Sequence, residues 1–163
     1  MRHFLLTTIL LIGSICTYAQ VVRYSYKPLA AEGCRMSYSV TKQDTSYCII
    51  ATVSSDRMKF LKESTMMIRT FKDEILKLDG TLIDNDTESA GLVSGNIVIP
   101  VTEIKSTAQF KITPKQFELL QQGVKKIRLS TIPIKHERTF KKDKIGKKLY
   151  NFFIEQQKEE DDF

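Results

Sequence analysis

His136 is the one histidine left in this chain once its first nineteen residues are set aside, and it stands in a charged stretch, Lys135-His136-Glu137-Arg138. Serine and cysteine nucleophiles ordinarily need a histidine base. No Gly-x-Ser-x-Gly elbow accompanies this one, so it reads as a surface histidine. Zinc needs three or four His, Cys or acidic ligands, and Cys34, Cys48 and His136 have no short-range ligand spacing. Asp84-Asn85-Asp86-Thr87-Glu88 offers oxygen at alternate positions, as calcium loops do. It lacks the glycine at the sixth position and the glutamate at the twelfth, where Gly95 stands, so it reads as a solvated loop. Asp73-Glu74 reads as a hairpin turn. Asn85-Asp86-Thr87 matches an N-glycosylation sequon, which matters only in a eukaryotic secretory pathway. No catalytic, metal or cofactor site is identified.

Charge is distributed unevenly. Between Val124 and Lys148 stand ten basic residues against only Glu137 and Asp143, a local net charge of +8. Eight of them are candidate anion-binding residues: Lys125, Lys126, Arg128, Lys141, Lys142, Lys144, Lys147 and Lys148. Lys135 and Arg138 complete the run. Such a run is either a solvated face partly neutralised by the acidic tail or a surface turned toward an anion. The partners that would fit are an acidic protein, a glycan or an anionic lipid surface. Carbohydrate sites usually present flat aromatic platforms, and the chain has no tryptophan. Tyr24 and Tyr26 share a strand face, but packing is the better reading for them.

The elements that must position these residues begin after an export signal. Arg2 supplies a positive start, Phe4 to Cys16 an apolar run, and Thr17-Tyr18-Ala19 the small residues before a cleavage at Gln20. The run is shorter than the roughly 20 residues a membrane-spanning helix needs. Lipidation at Cys16 is disfavoured by the bulky Ile15. Residues 20–158 are then expected to form one β-rich domain, followed by an acidic tail at 159–163. No later stretch is long and apolar enough to cross a membrane. Export also makes nucleic acid a poor partner.

The mature chain reads as short alternating runs between turn residues. Val21 to Lys27 is a first strand, closed by Pro28 and a loop at 30–33. Arg35 to Val40 and Tyr47 to Val53 form a hairpin centred on Gln43-Asp44, with Met36, Tyr38, Val40, Tyr47, Ile49 and Ala51 on one buried face. In that register Cys34 and Cys48 fall on opposite faces, so no bridge between them is expected. Thr65 to Phe71 and Glu74 to Leu78 form a second hairpin around Lys72-Asp73, ended by Asp79-Gly80. Asp84 to Gly95 reads as a polar mobile loop. Asn96 to Thr102 and Thr107 to Ile112 make a third strand pair, with Pro100 marking a sheet edge or bulge.

The period then changes. Thr113-Pro114-Lys115-Gln116 opens a helix with a capping box, and Gly123 closes it in the left-handed region. Val124 to Ile132 returns to strand. Asp143 to about Lys158 reads as an amphipathic helix with Ile145, Leu149, Phe152 and Phe153 on one stripe. Phe110 to Leu129, FKITPKQFELLQQGVKKIRL, together with Lys142 to Leu149, resembles small uncharacterised exported β-rich proteins of gut Bacteroidota. That resemblance implies an exported compartment and a β-rich fold, and assigns no activity and no site residues.

The expected fold is mainly β: an antiparallel β-sandwich or rolled sheet with one short crossover helix and a C-terminal amphipathic helix. The alternative is an α+β roll. The expected function is that of a non-enzymatic binding or assembly protein of the cell envelope. A small secreted hydrolase or inhibitor is the alternative.

Overall fold

Alternation of apolar and polar residues near the N-terminus builds the first three strands. In the computed structural model, which describes residues 20–26, 34–43 and 45–161, β1 (Val22–Tyr26) pairs antiparallel with β2 (Cys34–Gln43). In turn, β2 pairs with β3 (Ser46–Ser55). The expected signal peptide and the loop after Pro28 lie outside the described residues. Gln43 opposes Ser46, and Val40 opposes Ile49. The register therefore differs by two positions from one centred on Gln43-Asp44. An even shift preserves the face, so Met36, Tyr38, Val40, Tyr47, Ile49 and Ala51 are all buried as expected. By the same parity Cys34 points into the core and Cys48 to the opposite face, both as free thiols.

Two short strands follow, β4 (Lys59–Phe60) and, after the next hairpin, its partner near residue 131. That hairpin joins β5 (Glu63–Thr70) to β6 (Ile75–Ser94) through a turn in which Asp73 takes φ 64°. Here the structure departs from expectation. The strand does not end at Asp79-Gly80 but runs for 20 residues, through the whole segment read as a mobile loop. Gly80 is inside the strand because its neighbour needs the room. A Cβ at that position would lie 2.4 Å from the Gln109 carbonyl oxygen and 2.5 Å from the Phe110 ring. Glycine in a strand often marks such a close approach.

The expected third strand pair is likewise one continuous strand, β7 (Ile97–Ile112). No turn residue interrupts Glu103-Ile104-Lys105-Ser106, so nothing bends the chain there. β6 and β7 are joined by the two-residue turn Gly95-Asn96, with Gly95 at φ 62°. Their register slips by one between Leu82 and Asp84, leaving Ile83 as a bulged residue.

The capped helix α1 (Pro114–Leu120) forms as its sequence requires. Thr113 and Gln116 bond reciprocally, Phe117 and Leu120 are buried, and Gly123 adopts φ 75°. After it, β8 (Val124–Leu129) stops at Ser130, and β9 (Thr131–Ile132) leaves the main sheet to pair with β4. A cis Ile132-Pro133 peptide follows. β10 (His136–Thr139) rejoins β8, and α2 (Gly146–Asp161) completes the chain as described.

The main sheet has eight antiparallel strands in the order β1-β2-β3-β7-β6-β5-β8-β10. It curls into a half-barrel, so the rolled sheet is the form the mainly β fold takes. The core fills its hollow and is closed by α2, which packs on β2 and α1. Ile145, Leu149 and Phe153 are buried there and Phe152 is half-buried. Phe153 stacks on Phe117 at 4.4 Å between ring centroids and meets Tyr47 edge-on at 4.9 Å.

Candidate functional site

Four groups of residues could carry function: the projecting end of β6 and β7, the basic residues near the C-terminus, a basic concavity on the outer face of the sheet, and the buried polar cluster around His136.

The sheet neighbours of β6 and β7 run out well before their turn. β5 pairs with β6 only as far as Thr81, and β3 with β7 only back to Ile104. From Glu88–Glu103 to Ser94–Ile97 the two strands pair with each other alone, as a ribbon of seven residue pairs. At about 3.4 Å per residue it extends roughly 20 Å beyond the sheet. Ser89 to Thr102 contains no charged residue, and Ile97 and Val98 near the turn are 65% and 64% exposed. Ion pairs anchor the base: Lys105 to Glu88 at 2.6 Å, and Arg35 to Glu103. Asp84 to Glu88 cannot act as a calcium loop in this conformation, because alternate side chains of an extended strand point to opposite faces.

The edges of the ribbon differ. In a two-residue hairpin the closing pair, Ser94 and Ile97, exchanges hydrogen bonds, and bonded and non-bonded pairs alternate from there. Gly91 and Pro100 then form a non-bonded pair whose main-chain groups point outward. Pro100 therefore costs the ribbon nothing and removes a donor from the outer edge of β7, in keeping with the edge position expected of it. On the β6 side the outward amide of Thr87 is occupied, donating to its neighbour Asp86 Oδ1 at 2.8 Å. The outward groups of Ser89, Gly91 and Val93 remain, with no strand beside them among the described residues.

The eight candidate anion-binding residues fall into two groups. Lys125 pairs with Asp73 at 2.9 Å, and Lys126 and Arg128 both reach Glu137 at 2.5 Å. These hydrogen bonds, first from Lys126 and then from Arg128, hold the Glu137 carboxyl below its ordinary pKa. Lys141, Lys142, Lys144, Lys147 and Lys148 are exposed around the start of α2 and make no ion pair among the described residues. The main-chain amides of that helix start are already taken. Asp143 accepts from the N–H groups of Val124, Ile145, Gly146 and Lys147. Burial raises its pKa, but these four bonds outweigh it and the net shift is downward. An anion arriving here would meet lysine side chains, not helix amides.

Further basic side chains gather where the sequence pointed to none. Arg23, Arg35 and Lys105 border a shallow concavity of about 560 Å³ on the outer face of the sheet, floored by Ser37, Thr52 and Ser54. Only the strand order brings them together, across β1, β2, β3 and β7.

His136 is not on the surface. It is fully buried, since β10 alternates and His136 is one of its inward positions, opposite Leu129. The charged neighbours concealed that parity. Its Nε2 lies 2.8 Å from the Tyr24 hydroxyl, which lies 2.9 Å from the Tyr38 hydroxyl. Burial, then the nearby Arg138 charge, lowers its pKa to about 4. Burial likewise raises the Tyr38 phenol well above its usual value. Tyr24, half-buried, is a packing residue stacked on Tyr38; the side chain of Tyr26 lies outside the description. The hydroxyl beside the imidazole belongs to a tyrosine, and the cluster joins the two edges of the sheet.

The chain matches no protein-family model, no curated protein and no solved structure.

The functional reading therefore rests on geometry. No helix among the described residues is long and apolar enough to cross a membrane, and no group of three or more metal-ligating side chains is present among them. The sequence did carry a signal for the ribbon. The apolar pairs Leu92-Val93 and Ile97-Val98 flank a short polar turn containing Gly95-Asn96, the mark of a hairpin.

Proposed function

We propose that this is an exported, non-enzymatic binding or assembly protein of the cell envelope, and that the β6–β7 ribbon is its working element. The observation that carries this reading is a long two-stranded ribbon, uncharged from Ser89 to Thr102 and standing clear of the core, with Ile97 and Val98 exposed near its turn. An isolated two-stranded ribbon is at best marginally stable in water. Selection for stability alone would shorten it. A long, exposed edge of low charge is also a template for pairing with another chain.

Export rests on the N-terminal signal and on the resemblance of Phe110 to Leu129 to exported proteins. The anion-facing surface is a second part of the same proposal, narrowed to Lys141, Lys142, Lys144, Lys147 and Lys148. α2 runs on through Asp161, so the main chain of Glu159 and Glu160 is roughly 20 Å from its first turn.

The test is a shortened ribbon. Gly91 to Pro100 would be replaced by Asn-Gly, so that the bonded pair Ala90–Val101 closes a two-residue turn. The expected variant is exported and melts like wild type, but migrates as a free chain when the envelope is gently solubilised, while the wild type migrates in a larger complex. Identical migration of the two would overturn the reading.

A further inference from the structure

We infer that the open edge of β6, from Ser89 to Val93, pairs antiparallel with the same edge of a second copy of this chain. The inference rests on the assembly reading above and names the partner. Within the ribbon, this short stretch is open to a new strand. Pro100 blunts the β7 edge, and Asp86 fills the outward amide of Thr87 nearer the base. From Thr87 toward the turn, the outward main chain of Ser89, Gly91 and Val93 is open.

Charge selects the occupant. A two-fold axis at Gly91 sets Ser89 against Val93 of the other copy and Gly91 against itself. Each residue would then donate and accept one main-chain bond across the axis. Glu88 falls opposite Ser94 of the second copy, and Asp84 and Asp86 fall beyond the overlap. No carboxylate meets another, and no unpaired charge enters the new interface. A charged partner strand would find nothing in Ser89 to Val93 to neutralise it. Gly91 also suits the axis, because two backbones approach most closely where neither carries a side chain. The exposed Ile97 and Val98 sit one strand in from this edge, so in the four-stranded sheet formed by two ribbons they would lie on the two outer strands, clear of the new junction.

Sedimentation velocity of the mature chain over a range of concentrations tests this. A reversible dimer is expected. Gly91→Pro removes an outward donor without touching the β6–β7 ladder, as Pro100 does on the other strand, and should weaken the dimer by roughly tenfold or more. Val98→Pro, on the edge already blunted, should leave it unchanged. Melting temperature identifies any variant that has lost its fold. Independently, Gly91→Cys should form a covalent dimer on mild oxidation, while Ser94→Cys, far from its own copy in this register, should not. A wild-type chain that stays monomeric, or a Gly91→Pro dimer as tight as wild type, would overturn the self-pairing. If the monomeric wild type still migrates in a larger envelope complex that the shortened ribbon abolishes, the assembly reading stands and only the choice of partner falls.

Discussion

Tyr24 and His136 stand on opposite edges of an eight-stranded sheet, 112 residues apart in sequence, and their side chains meet at 2.8 Å. This contact shows how far the sheet curls. The Phe140 ring, just after β10, also packs edge-on against Tyr24 at 5.3 Å between centroids. A sheet edge ordinarily exposes its main chain to other strands. Here side chains of the two outer strands meet across the hollow, while the β6 edge of the ribbon has no strand beside it among the described residues.

The seam should therefore contribute measurably to stability. Tyr24→Phe keeps the ring and deletes the hydroxyl between Tyr38 and His136. Loss of one buried polar link costs about 1–3 kcal/mol, to be read from urea unfolding at neutral pH. An unchanged midpoint would mean that apolar packing alone closes the sheet.

His136 also gives the fold a pH dependence. Its pKa falls from 6.5 to about 4 on folding, so the folded state holds the neutral ring. Below pH 6.5 the unfolded chain binds a proton that the folded chain refuses. Stability should fall as pH drops from about 6.5 toward 4 and lose no more from this group below that. The full loss is of order 3 kcal/mol. In His136→Phe the slope across this window should flatten, as measured by unfolding at half-unit pH steps; an unaltered slope would assign it to other groups.

Asp143 is expected to matter more than an ordinary cap. Its carboxylate serves three amides at the start of α2 and the amide that opens β8. Asp143→Ala removes the cap and leaves the Val124 amide without its acceptor, for a combined cost of about 2–4 kcal/mol. Asp143→Asn keeps one acceptor oxygen and should lose less. Equal losses in the two variants would show that charge, not the hydrogen bonds, holds the junction.

Much of this fold was legible because local chemistry and tertiary packing agree. The capping box at Thr113 and Gln116, the left-handed Gly123 and the stripe Ile145-Leu149-Phe153 are dictated within a few residues of chain. Gly80 and His136 depart from what their local sequence suggests for one reason: their roles are set by distant partners. Gly80 looks like a strand stop until Phe110 is placed beside it, and His136 looks solvated until Tyr24 arrives from the other edge. The polarity of Asp84 to Ser89 hid the ribbon. In a two-stranded element neither face needs a core, so the alternation that reveals a strand is missing.

The basic surface predicts salt-sensitive binding. Wild-type protein should bind heparin or anionic vesicles weakly, and more weakly as salt rises past the point where the Debye length is roughly 10 Å. Charge reversal at Lys141, Lys142 and Lys144 should abolish this, whereas reversal at Lys126 and Arg128, which share Glu137, should do less. Equal binding by wild type and the first variant would remove the anion-facing surface from the account.

Amide hydrogen exchange along the ribbon tests most directly whether this is where the protein meets its partner. In the dilute free chain, the amides of Ser89, Gly91 and Val93 should exchange fast, because they point to an open edge, while those of Ala90 and Leu92 are slowed by β7. In the assembled protein the three fast amides should become protected, in the same alternating pattern. Exchange at Ser89, Gly91 and Val93 that stays as fast in the assembly as in the free chain would contradict a pairing role for the ribbon edge.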